Sequence, residues 1–166
     1  MKGSYVILIE LPEEQTISIG SLKAIYFPRG YYAYVGSAMG GFKSRLNRHL
    51  KSNKKPHWHI DYLLNKASIN RIILCETEDR TECTIAQALS HQFDSIPGFG
   101  SSDCKCRSHL FFIADKVKGF HNDVISHLIN FCLPSAISHT LPVMGELKIV
   151  HGLISCGTVM PLKEIS

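Results

Sequence analysis

YYAYVGSAMGGFKSRLNRHL, residues 31–50, decides how this chain reads. Tyr32 and Tyr34 alternate with Ala33 and Val35, the two-residue period of a pleated strand. Gly36, Ser37, Gly40 and Gly41 interrupt that period and permit a turn or a close backbone approach to a ligand. From Phe42 the period becomes helical, with Phe42, Leu46 and Leu50 on one face. Arg45 and His49 lie four residues apart and project together. A tyrosine strand feeding an Arg/His helix face suits a site that reads phosphate.

Upstream, Tyr5-Val6-Ile7-Leu8-Ile9 is a continuous apolar run, expected of a strand buried on both faces. Short strands are expected at 16–19 and 24–27, making the first third an antiparallel meander. Downstream, helices are expected near 42–51, 58–66 and 82–93, the last with Thr81 as N-cap. Core strands are expected at 69–74 and 109–114, with a long ordered loop over 95–108. From Lys116 the character changes: a helix from about 122 to 131, then short apolar runs between Pro and Gly. The expectation is an α/β (α+β) fold with a mainly antiparallel central sheet flanked by helices. One domain covers 1–115, and a C-terminal extension, 116–166, packs on it.

The 166 residues are enough for a core. At 45% hydrophobic and 19% charged, the chain is globular and not disordered. The net charge of +4 says less than its placement. Between Gln15 and Ile60 there is no Asp or Glu, while Lys23, Arg29, Lys43, Arg45, Arg48, Lys51, Lys54 and Lys55 all fall there. Such segregation favours an anionic partner, above all nucleic acid; a solvated lysine loop accounts equally well for 51–55. No apolar run approaches the roughly 20 residues of a membrane span. The start lacks a signal-peptide layout, so a cytoplasmic location is expected. Cysteines 75, 83, 104, 106, 132 and 156 are expected as reduced thiols or metal ligands rather than a disulfide framework.

Three groups of residues have chemical potential. Tyr5, Tyr34, Arg45, His49 and Glu82 contain what phosphodiester hydrolysis needs: proton carriers, a permanent cation and a hard oxygen ligand. Spacing alone does not assemble them. His57, His59 and Asp61 flank Trp58 and offer metal or DNA contact, although the start of a helix with a satisfied Asp–His pair is the plainer account. Cys83, Cys104, Cys106 and His109 offer a soft tetrahedral set for zinc. Their spacing departs from the usual C-x2-C knuckle, and buried thiols beside a turn at Asp103 are the plainer account.

Gly3-Ser4-Tyr5 and Tyr34-Val35-Gly36 resemble the two halves of the GIY-YIG nuclease signature. YYAYVGSA, RLNRHL, HWHIDYLL, FGSSDCKC and SHLF resemble one branch of it, domain-of-unknown-function family 123, also called Uri-type endonucleases. The resemblance covers about 3–115. It implies metal-dependent cleavage of DNA phosphodiesters, in repair or processing. Tyr5 would be the general base or its relay, and Tyr34 would orient water. Arg45 would stabilise transition-state charge, His49 would contact phosphate or assist proton transfer, and Glu82 would hold Mg²⁺ or Mn²⁺. Apart from the resemblance, the basic stretch and its flanks give Ser37, Lys43, Arg48, Lys51, Lys54, Lys55, His57 and His59 as candidate nucleic-acid contacts. Ser4 stands where the signature has Ile. The insertion from Glu13 to Arg29 raises the question whether Tyr5 keeps its place. The rival expectations are a non-catalytic nucleic-acid-binding module and a zinc-stapled interaction protein.

Overall fold

The computed structural model describes residues 2–114, 152–155 and 158–161. Strand β1 (Gly3–Leu11) lies between β4 (Gly30–Ala38) and β5 (Ser68–Glu76), antiparallel to both. Beyond β4 come β7 (Leu110–Ala114) and the two-residue β6 (Asp94–Ser95), also antiparallel. Beyond β5, β8 (Gly152–Ser155) joins in parallel and β9 (Thr158–Pro161) pairs back on it. The order is β6-β7-β4-β1-β5-β8-β9.

The apolar run of β1 is buried on both faces because different helices cover each side. Tyr5, Ile7, Ile9 and Leu11 point to one face. There Phe42 and Leu46 of α1 (Phe42–Leu50) join Ile60 and Leu63 of α2 (His59–Leu64). Val6 and Leu8 point to the other, against Ile85, Ala86 and Leu89 of α3 (Glu82–Ser90). The two-residue period of the strand thus sorts one sequence run into two cores.

The meander expectation needs correction. Among the described residues, the inserted strands β2 (Gln15–Ser18) and β3 (Ala24–Phe27) pair only with each other, as a separate hairpin. Ile17, Ile19 and Phe27 close the end of the first core beside Leu11 and Tyr32. Because the hairpin leaves the sheet, β1 and β4 stay in continuous register, with Tyr5 opposite Gly36. The insertion does not displace Tyr5. The expected helix at 122–131 lies outside the described residues.

Candidate active site

At the end of the sheet where β1 begins and β4 ends, a cleft of about 450 Å³ opens. Tyr5, Tyr34, Gly36, Ser37, Arg45 and Glu82 are among the residues that line it. Tyr5 lies across Gly36, and a Cβ added there would come within 2.3 Å of the phenol. A glycine at 36 is therefore what lets the Tyr5 ring approach the backbone of β4 this closely. Gly100 plays a similar part for Tyr34. Its φ is +70°, and its Cβ position is 3.0 Å from the Tyr34 ring.

The Tyr5 hydroxyl is 2.7 Å from Nε2 of His49. Burial first, and then the Lys54 ammonium, lower the His49 pKa to about 4, so the imidazole is neutral at pH 7. Burial, then Tyr34, hold the Tyr5 phenol well above its ordinary value. Burial, then Glu82, do the same to Tyr34. The resting site therefore contains two neutral phenols and a neutral imidazole. His49 is buried behind Tyr5 and is not among the residues that line the cleft.

Trp58 organises the cations. The guanidiniums of Arg45 and Arg48 lie 4.4 and 4.6 Å from its ring centroid. Arg45 lines the cleft, whereas Arg48 is bound to Asp61 at 2.7 Å. Asp61 is fully buried. It accepts the backbone N–H groups of His57 and Trp58, and Lys54 lies 3.3 Å from it. Burial pulls the Asp61 pKa upward, but those N–H groups, Arg48 and Lys54 outweigh it and hold the carboxyl below its ordinary value.

Several expected nucleic-acid contacts are placed differently. Lys54 is turned inward, its side chain 6% exposed, donating to the carbonyls of Arg48 and His49 at the end of α1. Arg48 is occupied by Asp61. His59 accepts the Gly100 N–H at Nδ1 and so fixes the loop before β7, although it also lines the cleft. His57 and Ser37 line the cleft. Lys43, Lys51 and Lys55 are exposed. Arg80 and Asp103 line the cleft as well. Arg80 was legible only as a charge beside the start of α3. Asp103 reads in the sequence only as a turn beside the cysteines.

Glu82 is the first residue of α3 and is reached from both sides. Thr81 was expected to cap α3, yet its hydroxyl makes no cap hydrogen bond. It donates instead to Ser4 Oγ at 3.0 Å, tying the start of α3 to β1. Ser4 is fully buried on the α3 side of the sheet, so a serine where the signature has Ile serves this link. On its other side, Glu82 Oε1 is 3.0 Å from Nδ1 of buried His109, close enough for an ion pair but not aligned as a hydrogen bond.

Next to Glu82 the ligand atoms of Cys83, Cys104, Cys106 and His109 all lie within 4.8 Å of one another, a candidate metal site. Burial pushes the Cys83 and Cys106 thiols up, Cys106 to about 12. Cys75, by contrast, is disulfide-bonded, where a reduced thiol was expected.

The family described as domain of unknown function DUF123 matches residues 4–130, and the chain belongs to it. No curated protein and no solved structure matches the chain. Among the described residues, no helix is long and apolar enough to cross a membrane.

Proposed function

We propose that the protein is a metal-dependent endonuclease that hydrolyses DNA phosphodiester bonds. The observation that carries this reading is the convergence of Tyr5, Tyr34, Arg45 and Glu82 on one cleft, with neutral His49 hydrogen-bonded behind Tyr5. Glu82 and Asp103 supply carboxylate oxygens to that cleft. Hard oxygen donors with room for water suit Mg²⁺ or Mn²⁺, with Glu82 as the holding residue. Such an ion, when bound, would offset charge on the phosphate oxygens.

The protein groups would act as follows. Tyr34 positions the attacking water. Tyr5 takes a proton from that water as its own passes to His49 Nε2, so neither phenol has to ionise beforehand. The charge that appears on His49 is compensated by buried Asp61, which acts on it favourably. Arg45, held against Trp58, faces the charge that develops on the phosphoryl oxygens.

Nicking of supercoiled plasmid and of a labelled single strand, with Mg²⁺ or Mn²⁺, tests this reading. Wild type should cut, and Glu82→Gln should lose cutting by about 10²-fold or more while binding DNA within a few-fold. Equal cutting by both removes Glu82 from the mechanism. DNA binding without cutting by either supports a non-catalytic module in which His109 holds Glu82 away from any ion.

A further inference from the structure

We propose that Cys83, Cys104, Cys106 and His109 form a zinc site whose histidine positions Glu82 at the cleft. Three thiols and one imidazole is a closed ligand set of the kind that structural zinc takes. At a Zn–S distance of about 2.3 Å, tetrahedral ligand atoms stand roughly 3.8 Å apart. The set here spans no more than 4.8 Å, so small side-chain shifts bring it onto an ion.

The orientation of His109 carries the second half of the inference. Its Nε2 faces the thiols, 3.4 Å from Cys104 Sγ, and its Nδ1 faces Glu82 Oε1 at 3.0 Å. A histidine that gives one nitrogen to a metal normally donates its other N–H to a carboxylate, which fixes the ring and its tautomer. Here the carboxylate within 3.0 Å, not yet aligned as a hydrogen bond, is that of Glu82, which lines the cleft. His109 is 1% exposed, and its backbone is held on both sides: its N–H donates to Phe99 and its carbonyl accepts from Val35 N–H. The ring therefore has little freedom other than to bridge the two groups. An ion bound there joins the first turn of α3 to the loop before β7. It also fixes the proton on Nδ1, so one Glu82 oxygen is engaged by His109 and the other is left to the cleft. Glu82 is in this sense held by a positioning residue.

The inference goes beyond hydrolysis and stands or falls without it, because its test reads metal and not cleavage. Purified full-length protein should carry about one zinc per chain. Replacement by Co²⁺ should give intense visible bands and a thiolate charge-transfer band. Cys106→Ser should lose the charge-transfer intensity and most of the bound metal. Glu82→Gln should keep the spectrum but weaken Co²⁺ about 10–100-fold. Nitrogen NMR of wild type loaded with Zn²⁺ should show His109 protonated at Nδ1. Absence of Co²⁺ binding by wild type, binding without a thiolate band, or a disulfide between two of the three cysteines overturns the site. Unchanged affinity in Glu82→Gln overturns the link to the cleft.

Discussion

Tyr5 and His49 form the pair on which the proposed chemistry turns, and burial holds both neutral. Tyr5→Phe keeps the ring over Gly36 and removes only the hydroxyl. It should lower cleavage about 10²–10⁴-fold. It should also cost about 1–3 kcal/mol of stability, because His49 Nε2 is left buried without a partner. Circular dichroism and urea melts separate the two effects. The same pair predicts a pH dependence. Unfolded, His49 titrates near 6.5; folded, it titrates near 4. Between those values the unfolded chain binds the extra proton, so stability is complete above 6.5 and declines as pH falls toward 4. The full span is about 3 kcal/mol by linkage. Asp61 is held below its ordinary 3.8 and adds its own loss only at lower pH. His49→Gln keeps a side chain able to accept from Tyr5 and removes the titration. Its urea stability should fall distinctly less than wild type from pH 6.5 to 4, with the part due to His59, whose pKa burial also lowers, remaining; a slope equal to wild type would show that another group is responsible.

At the scale of elements, the site depends on two junctions that neither strand nor helix periodicity encodes. One joins α1 to α2 through Asp61, which pairs with Arg48 and Lys54 and accepts the N–H groups that open α2. Asp61→Ala should cost about 3–5 kcal/mol in urea unfolding, since it strands the buried Lys54 ammonium. A cost below 1 kcal/mol would mean that Lys54 simply swings to solvent. The other junction ties α3 to β1 through Thr81 and Ser4. These junctions explain what could be read in advance. Strands and helices were legible because alternation and 3.6-residue spacing follow from burial of one face. The meeting of Tyr5 and His49 was legible only through the resemblance, because the two are 44 residues apart in sequence. The inward turn of Lys54 and the diversion of the Thr81 hydroxyl were not legible at all. A lysine in a polar loop and a threonine before a helix have the same sequence pattern whether they face solvent, a cap or a buried partner.

Over the whole molecule, the same distinction between free and committed charge decides which cations the proposed DNA binding can draw on. The acid-free stretch from Gln15 to Ile60 carries eight Lys and Arg residues, but the fold withdraws Arg48 and Lys54 to neutralise Asp61. Arg45 and Arg80 line the cleft, and Lys43, Lys51 and Lys55 stand exposed. Phosphate binding releases counterions in proportion to the cations that engage, so the dependence of log affinity on log salt counts them. If these five cations engage phosphate, together they contribute about −4.5 to the slope on duplex DNA. Lys51→Ala should reduce the slope by about one unit and weaken binding uniformly across sequences, provided that Lys51 meets phosphate. Lys54→Met should leave the slope unchanged while lowering the unfolding midpoint, because its ammonium already has its partners inside the fold. Titration of a labelled duplex across salt concentrations, with both variants beside wild type, distinguishes the two lysines. A Lys54 variant that loses a unit of slope would place that side chain on the DNA and not on Asp61. The arrangement of α1, α2 and their shared carboxylate would then have to change when the nucleic acid binds.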